Sequence, residues 1–313
     1  GDARLREVLL KAVRLIVERE RERRRFKTGS YWDLKANLNK DGDTFDANLV
    51  AVDGTRLASG KDFDETTGKV EEGKDVLLLG EKEAKELVDA LKGKPLTVAN
   101  INERSYTSNP RAPFTTSTLQ QEASRKLGMG ASDTMSVAQR LYENGLITYM
   151  RTDSMNLSGQ AIGAARKAVE QLYGSDYLSD RPRNYSTKSK GAQEAHEAIR
   201  PTGDNFTHPD KTGLTGREYK LYDLIWKRTV ACQMAEARKT SIRYDLEVEV
   251  DGKQLDFRAN GTRIDFPGFM RAYVEGSDDP EASLEDKEVL LPKVDKGDDV
   301  ECKKVEPIGH ETK

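Results

Sequence analysis

The 313-residue chain is poor in cysteine, histidine and aromatic residues. Its two cysteines, Cys232 and Cys302, lie far apart and outside any CxxC pattern. They build neither a zinc knuckle nor a disulfide framework. The three histidines, His196, His208 and His310, are scattered and form no metal cluster. No run of about 18 apolar residues occurs, so no membrane-spanning helix is expected. The first residues are charged and carry no apolar signal core. The expectation is a cytoplasmic chain in a reducing compartment, with no membrane partner. A phosphate-binding glycine loop of the Walker type, a Ser/His/Asp order and an acidic cluster for a divalent metal are likewise missing.

What is present is charge. Hydrophobic residues make up 36% of the chain and charged residues 34%, a mix that suits much surface per residue. The net charge of -3 argues mildly against a nucleic-acid partner, but it is unevenly spread. Residues 1–27 hold ten Lys/Arg against five Asp/Glu, and residues 104–151 hold six against three. Residues 275–313 hold six against thirteen. A basic centre with an acidic end can bind DNA locally, and ordinary solvated surface explains the same pattern.

Periodicity divides the chain. Leu5, Leu9, Ala12, Val13 and Ile16 recur at helical spacing, so 5–26 reads as a helix that turns fully charged before Gly29. Residues 31–108 read mostly as strands, with Asp41-Gly42 as a hairpin turn and a helix at 81–92. From 116 to 235 the signals are helical. One helix begins around Ser117 and stops at Gly128, and the next begins after Ser132 and runs to Gly145. This pair reads as a helix-turn-helix, and Leu146-Ile-Thr-Tyr-Met150 as a short strand of a winged version. Further helices are expected at 159–173, at 192–199 and at 216–236. Strand alternation returns at 240–259, with Asp251-Gly252 as a second hairpin turn. The expected class is α+β: a discontinuous β-rich domain with a helical, winged-helix-like domain inserted in it.

Three segments could carry chemistry. In Gly145-Leu-Ile-Thr-Tyr-Met-Arg-Thr-Asp-Ser154, Tyr149 and Arg151 fall on one face of a strand. A guanidinium there can grip a phosphate that a phenolate attacks, and phenolate is a good leaving group for resealing. A half-buried structural tyrosine accounts for Tyr149 equally. In Ala195-His-Glu-Ala-Ile-Arg-Pro201, His196 and Arg200 stand four apart, on one face of a helix. A locally satisfied histidine is the plainer reading. In Ala112-Pro-Phe-Thr-Thr-Ser-Thr-Leu119, the hydroxyls of Thr115, Thr116 and Ser117 and the free N–H groups of a helix start suit a phosphate, and capping alone explains them too.

Together these segments resemble the bacterial type IA DNA topoisomerases. Val13-Arg-Leu-Ile-Val-Glu-Arg-Glu-Arg-Glu22 looks like the family's helix after its Toprim domain. Residues 112–119, 145–154 and 195–202 look like its central signatures, and Leu221-Tyr-Asp-Leu-Ile-Trp-Lys-Arg228 and Phe266-Pro-Gly-Phe-Met270 also fit. The resemblance runs from about residue 12 to the end, and methionine at 150 looks more like the topoisomerase I branch than the topoisomerase III branch.

The resemblance implies a toroidal enzyme. Residues 1–28 would be the remnant of a DNA-binding fourth domain, 29–109 and 236–313 a β-rich arch, and 110–235 the tyrosine domain. Tyr149 would cut one strand of single-stranded or negatively supercoiled DNA, leaving a 5′-phosphotyrosine link and a free 3′-OH. Arg151 would stabilise the phosphate charge. His196 would orient the same phosphate, and Thr115, Thr116, Ser117 and Arg200 would contact DNA. The other strand would pass, the cut would reseal, and negative supercoils would relax, in the cytoplasm at the nucleoid.

The departures are at the ends. The family's Toprim domain, which holds the Mg2+ and a catalytic lysine, and its Gly-Arg-Val-Gln-Ser segment do not stand before this helix. Arg4-Leu-Arg-Glu-Val-Leu-Leu-Lys11 stands there instead. No metal site is expected within the fragment, and alone it is expected not to relax DNA. The alternatives are a non-enzymatic single-stranded DNA-binding module and a hinge or docking piece that uses its acidic end.

Overall fold

The structure, a computed structural model, describes residues 2–186, 197–274 and 288–312. The class is α+β with an antiparallel sheet. Two compact units divide it. One comprises residues 1–103, 242–261 and 291–313, and the other comprises 104–241 and 262–290. Among the described residues, no helix is long and apolar enough to cross a membrane.

The first unit opens with helix α1 (Asp2–Arg25). Its i,i+3 and i,i+4 pairs, such as Lys11–Glu7 at 2.7 Å and Arg14–Glu18 at 2.7 Å, are exposed, so solvent screens them and each contributes little. The apolar residues Leu9, Val13 and Ile16 are exposed as well. Gly29 follows because a side chain has no room there: a Cβ would lie 2.3 Å from Phe63 Cδ1.

Strands β1 (Ser30–Lys40), β2 (Asp43–Val52), β3 (Thr55–Arg56), β4 (Leu96–Ser108), β5 (Ala237–Val250), β6 (Lys253–Phe266) and β7 (Asp299–Glu311) form one sheet, in the order β1-β7-β4-β5-β6-β2-β3. Because β1 also pairs with β2, the sheet closes on itself. Both edges of β1 are thereby paired, and β3, at the end of the order, is only two residues long. The turns Asp41-Gly42, Asp53-Gly54 and Asp251-Gly252 all have both residues at positive φ, the conformation that two-residue hairpins demand. Alternating residues such as Leu34, Ala36 and Leu38 of β1 face a core shared with Leu246, Phe257 and Val300. Helix α2 (Glu81–Leu91) buries Ala84 and Leu91 against it.

The second unit holds α3 (Thr116–Leu127), α4 (Ala131–Glu143), α5 (Gly159–Tyr173) and α6 (Gly216–Ala231). Thr115 caps α3, and Gly128, left-handed at φ 63°, ends it. Ser158 caps α5 through Ala161 N–H at 3.2 Å. Thr215 makes no side-chain cap on α6, although Thr215-x-x-Glu218 has the pattern of a capping box. Phe114, Leu119, Val137, Leu141, Ile147, Ile225 and Trp226 build the core of this unit.

Two expected elements differ. Residues 146–150 do not extend as a strand, and only Ile147 forms a bridge, to Pro201. Proline lacks the N–H that would carry a ladder further. The helix expected at 192–199 lies partly outside the described residues. Its described end, Glu197–Ile199, is not helical: Ile199 pairs with Phe114, and Pro201 disfavours helix for Arg200 before it.

Candidate active site

The centre of the site is the run from Ile147 to Thr152. Ile147 and Met150 are buried, each about 1% exposed, and they anchor the run in the core of the second unit. Between and after them, Tyr149 (45% exposed) and Arg151 face solvent. The alternation therefore leaves a phenol and a guanidinium both accessible. Among the described residues, Arg151 makes no hydrogen bond and no ion pair, so all its donors stay available to an anion. The Tyr149 ring meets Tyr142, at the end of α4, edge to face, with centroids 5.3 Å apart and planes at 68°.

Two threonines fix this run. The Thr116 hydroxyl donates to the Met150 carbonyl at 2.7 Å and accepts from the Thr152 N–H at 2.9 Å. Thr116 N–H donates to the Thr152 carbonyl at 2.9 Å. The N-terminus of α3 is thereby stitched to the chain on both sides of Arg151, and the positive end of the helix dipole lies beside that stretch. The Thr148 hydroxyl donates to the Ala198 carbonyl at 2.7 Å and accepts from Arg200 N–H at 3.0 Å, while Thr148 N–H donates to the Arg200 carbonyl at 2.9 Å. Tyr149 thus sits between two clamps, one to α3 and one to residues 198–200.

Thr115 is buried as the cap of α3, its hydroxyl accepting from Thr118 N–H and its own N–H donating to Thr118 Oγ1 at 2.9 Å. Ser117 is exposed, with its Oγ 3.2 Å from Thr115 Oγ1. Arg200 is buried. Its Nη2 and Nε donate to Glu197 Oε2 at 2.7 and 3.2 Å, and its Nη1 donates to the Pro201 carbonyl at 2.9 Å. Those bonds turn Arg200 inward to hold its own segment. His196 lies outside the described residues.

The sequence offers Glu197 only as a local partner for His196, and the structure gives it other bonds. Its Oε1 accepts from Ser158 N–H at 2.6 Å, so it joins Arg200 to the start of α5. Burial works against its charge, but hydrogen bonds from Arg200 and Ser158, with the Arg200 charge, outweigh that and hold its pKa below the usual carboxylate value. Tyr142 was missed. Its position seven residues before Tyr149, at a helix end, was the available signal.

A buried polar network supports the site from behind. Arg228 donates to the Ala112 carbonyl at 2.7 Å and to Tyr273 Oη at 3.1 Å, and Tyr273 Oη donates to buried Glu122 at 2.6 Å. The Arg228 guanidinium also lies 4.7 Å from the Phe114 ring centroid. Burial pushes the Tyr273 phenol well above its ordinary pKa, Arg228 opposes this, and the bond to Glu122 adds to it. Tyr273 is therefore held protonated, as a donor to Glu122.

Among the described residues, no group of three or more His, Cys, Asp or Glu is placed to hold a metal ion. The arrangement combines an accessible phenol, a free guanidinium and a helix N-terminus around one rigid run, which suits nucleophilic attack on a phosphodiester.

Comparison with known proteins gives this arrangement a context. A family described as DNA topoisomerase matches residues 8–313. DNA topoisomerase 1 of Synechococcus elongatus is 58% identical over 301 residues, 96% of this chain and 34% of that protein. DNA topoisomerase 1 of Streptomyces coelicolor is 51% identical over 310 residues, 96% of this chain and 32% of that protein. The solved structure of full-length topoisomerase I from Thermotoga maritima superposes with a TM-score of 0.69 at 29% identity, over 96% of this chain and 44% of that one. The chain thus spans about a third of the length of the curated relatives it matches.

Proposed function

Because this chain belongs to the DNA topoisomerase family, we propose that it is the strand-cutting portion of a type IA topoisomerase, with Tyr149 as the nucleophile. The observation that carries this reading is the pairing of accessible Tyr149 with unpaired Arg151 on a run clamped by Thr116 and Thr148.

Tyr149 Oη attacks a backbone phosphorus of single-stranded DNA. An Oη–P bond forms, the P–O3′ bond breaks, the phenol gives up its proton and the departing 3′-oxygen gains one. The phosphotyrosine link conserves the energy of the broken bond, so the 3′-OH can attack again and reseal the strand. Arg151 places its planar guanidinium against the phosphate and stabilises the charge that builds there. The rigid clamps supply orientation, since a misplaced nucleophile loses orders of magnitude in rate. His196 contacts the same phosphate, and Ser117, exposed at the start of α3, contacts the strand beside it. Passage of a second strand through the gap relaxes negative supercoils. This takes place in the cytoplasm, on nucleoid DNA.

The Mg2+ ion that the family implies does not fit the described residues, which offer no cluster of ligands. In this reading it belongs to a Toprim domain of the longer protein, and no step here passes through it.

The test is covalent capture. The chain is incubated with 3′-labelled single-stranded DNA, whose label stays on the strand that the 5′-phosphotyrosine link retains, with and without a separately made Toprim fragment and Mg2+, and denatured. A labelled adduct that needs the added fragment and disappears in Tyr149→Phe is the expected result. An adduct that persists in Tyr149→Phe overturns the assignment.

A further inference from the structure

On the surface of the second unit, away from the residues used above, cations and rings alternate. Arg238 lies 4.7 Å from the Phe266 ring centroid. Phe266 and Tyr177 have centroids 4.8 Å apart at 36°. Arg271 lies 5.0 Å from the Tyr177 centroid and 6.0 Å from that of Tyr173. The order is therefore Arg238, Phe266, Tyr177, Arg271, with Tyr173 beside the last pair.

Three features make this more than internal packing. Both guanidinia are exposed, and among the described residues neither makes a hydrogen bond or an ion pair. Ring contact restricts each guanidinium, so less side-chain freedom is left to lose on binding an anion. The nearby carboxylate, Asp265, lies within the field of Arg238, but it is hydrogen-bonded instead by Arg263 Nε at 2.8 Å and the Thr240 hydroxyl at 2.6 Å. The rings of Tyr173, Tyr177 and Phe266 are only partly buried. The rings meet one another and the guanidinia, so their exposed edges are what an unpaired base can reach, whereas a duplex keeps its bases inside the stack.

The geometry points to a second binding track for single-stranded nucleic acid, in which Arg238 and Arg271 each grip a backbone phosphate and the ring edges between them support bases. It takes its ligand class from the proposed function but uses none of the cleavage residues. Its place is to hold an unpaired strand at a point other than the one that is cut.

The experiment measures fluorescence anisotropy of a labelled 20-nucleotide oligo-dT with the whole chain at several salt concentrations. In the double variant Arg238→Gln/Arg271→Gln, affinity falls about tenfold at low salt, and the log–log salt slope flattens by about 1.4, two contacts at roughly 0.7 each. Unchanged affinity and slope overturn the proposal. A competing 20-base-pair duplex that displaces oligo-dT as well as unlabelled oligo-dT does overturns the single-strand assignment. Because substitution can disturb the fold, the unmutated chain is also modified with phenylglyoxal. Oligo-dT protects Arg238 and Arg271 from modification, and equal modification with and without it counts against the track. Tyr149→Phe abolishes the covalent adduct and, because it removes no charge, leaves the salt slope of the parent. Loss of the covalent adduct with this slope intact, or the reverse, tells which of the two readings has failed.

Discussion

Tyr142 presents its ring edge to face against Tyr149, with centroids 5.3 Å apart. A contact of this kind is worth about 0.5–1.5 kcal/mol beyond the area it buries. It restricts where an otherwise exposed phenol can point.

The first prediction concerns that contact. Tyr142→Ala lowers the single-turnover cleavage rate by roughly two- to tenfold, the range those energies correspond to. Tyr142→Phe keeps the ring and stays near the parental rate. The measurement is adduct formation with the Toprim fragment and Mg2+ supplied. Equal rates for Tyr142→Ala and the parent would show that Tyr149 is oriented by other groups.

The second concerns Thr116. Thr116→Val keeps the shape but leaves the Met150 carbonyl and the Thr152 N–H without their side-chain partner. The expected loss of stability is about 1–3 kcal/mol, seen as a lower urea midpoint. Adduct formation falls as well, because Arg151 lies between the two released groups. Retained stability and rate would mean that the clamp is dispensable.

The third concerns pH. The folded-state pKa of Glu197 lies below its ordinary value of 4.5. Its contribution to stability is therefore present above about 4.5 and is lost as pH falls through the lower folded value. Glu197→Gln removes that contribution, so its stability falls less steeply than the parent's on acidification below this pH. Parallel acid-unfolding curves would contradict the assignment.

The fourth concerns Gly268, at φ 51°. A Cβ there would lie 2.3 Å from the Glu236 carbonyl oxygen. Gly268→Ala is expected to cost about 1–3 kcal/mol or more, since strain and clash combine. Thermal unfolding measures it, and a melting temperature unchanged from the parent would refute the close approach.

Local rules carried much of the fold. Hairpin turns were legible as Asp-Gly pairs, helix ends as Gly128 and Gly145, and strand faces as alternation. The glycine of Phe266-Pro-Gly-Phe-Met270 entered only through resemblance, and the structure supplies its physical reason. What could not be read was non-local. The closure of β1 on β7 depends on residues such as Leu34 and Pro307, which pair directly although most of the chain lies between them. Tyr149 and Arg151 were legible by their spacing. Thr116 was noted as a phosphate contact, and its clamp on Met150 was invisible because the two segments meet only in the fold. Arg200 carries the same ambiguity, and Glu197, which the sequence offers as a local partner for His196, bonds Arg200 and the start of α5, a link that exists only in the fold.

The closed sheet also dictates an order of assembly. Strand β1 cannot find β7 until residue 299 and those after it have been made. At a synthesis rate of about 5–20 residues per second, the early strands wait on the order of tens of seconds. The second unit is encoded entirely in between, so all of it has been made before β7 is. The part that carries Tyr149 is thus made while the ring of strands is still open, and β7, the last of these seven strands in the chain, shuts it.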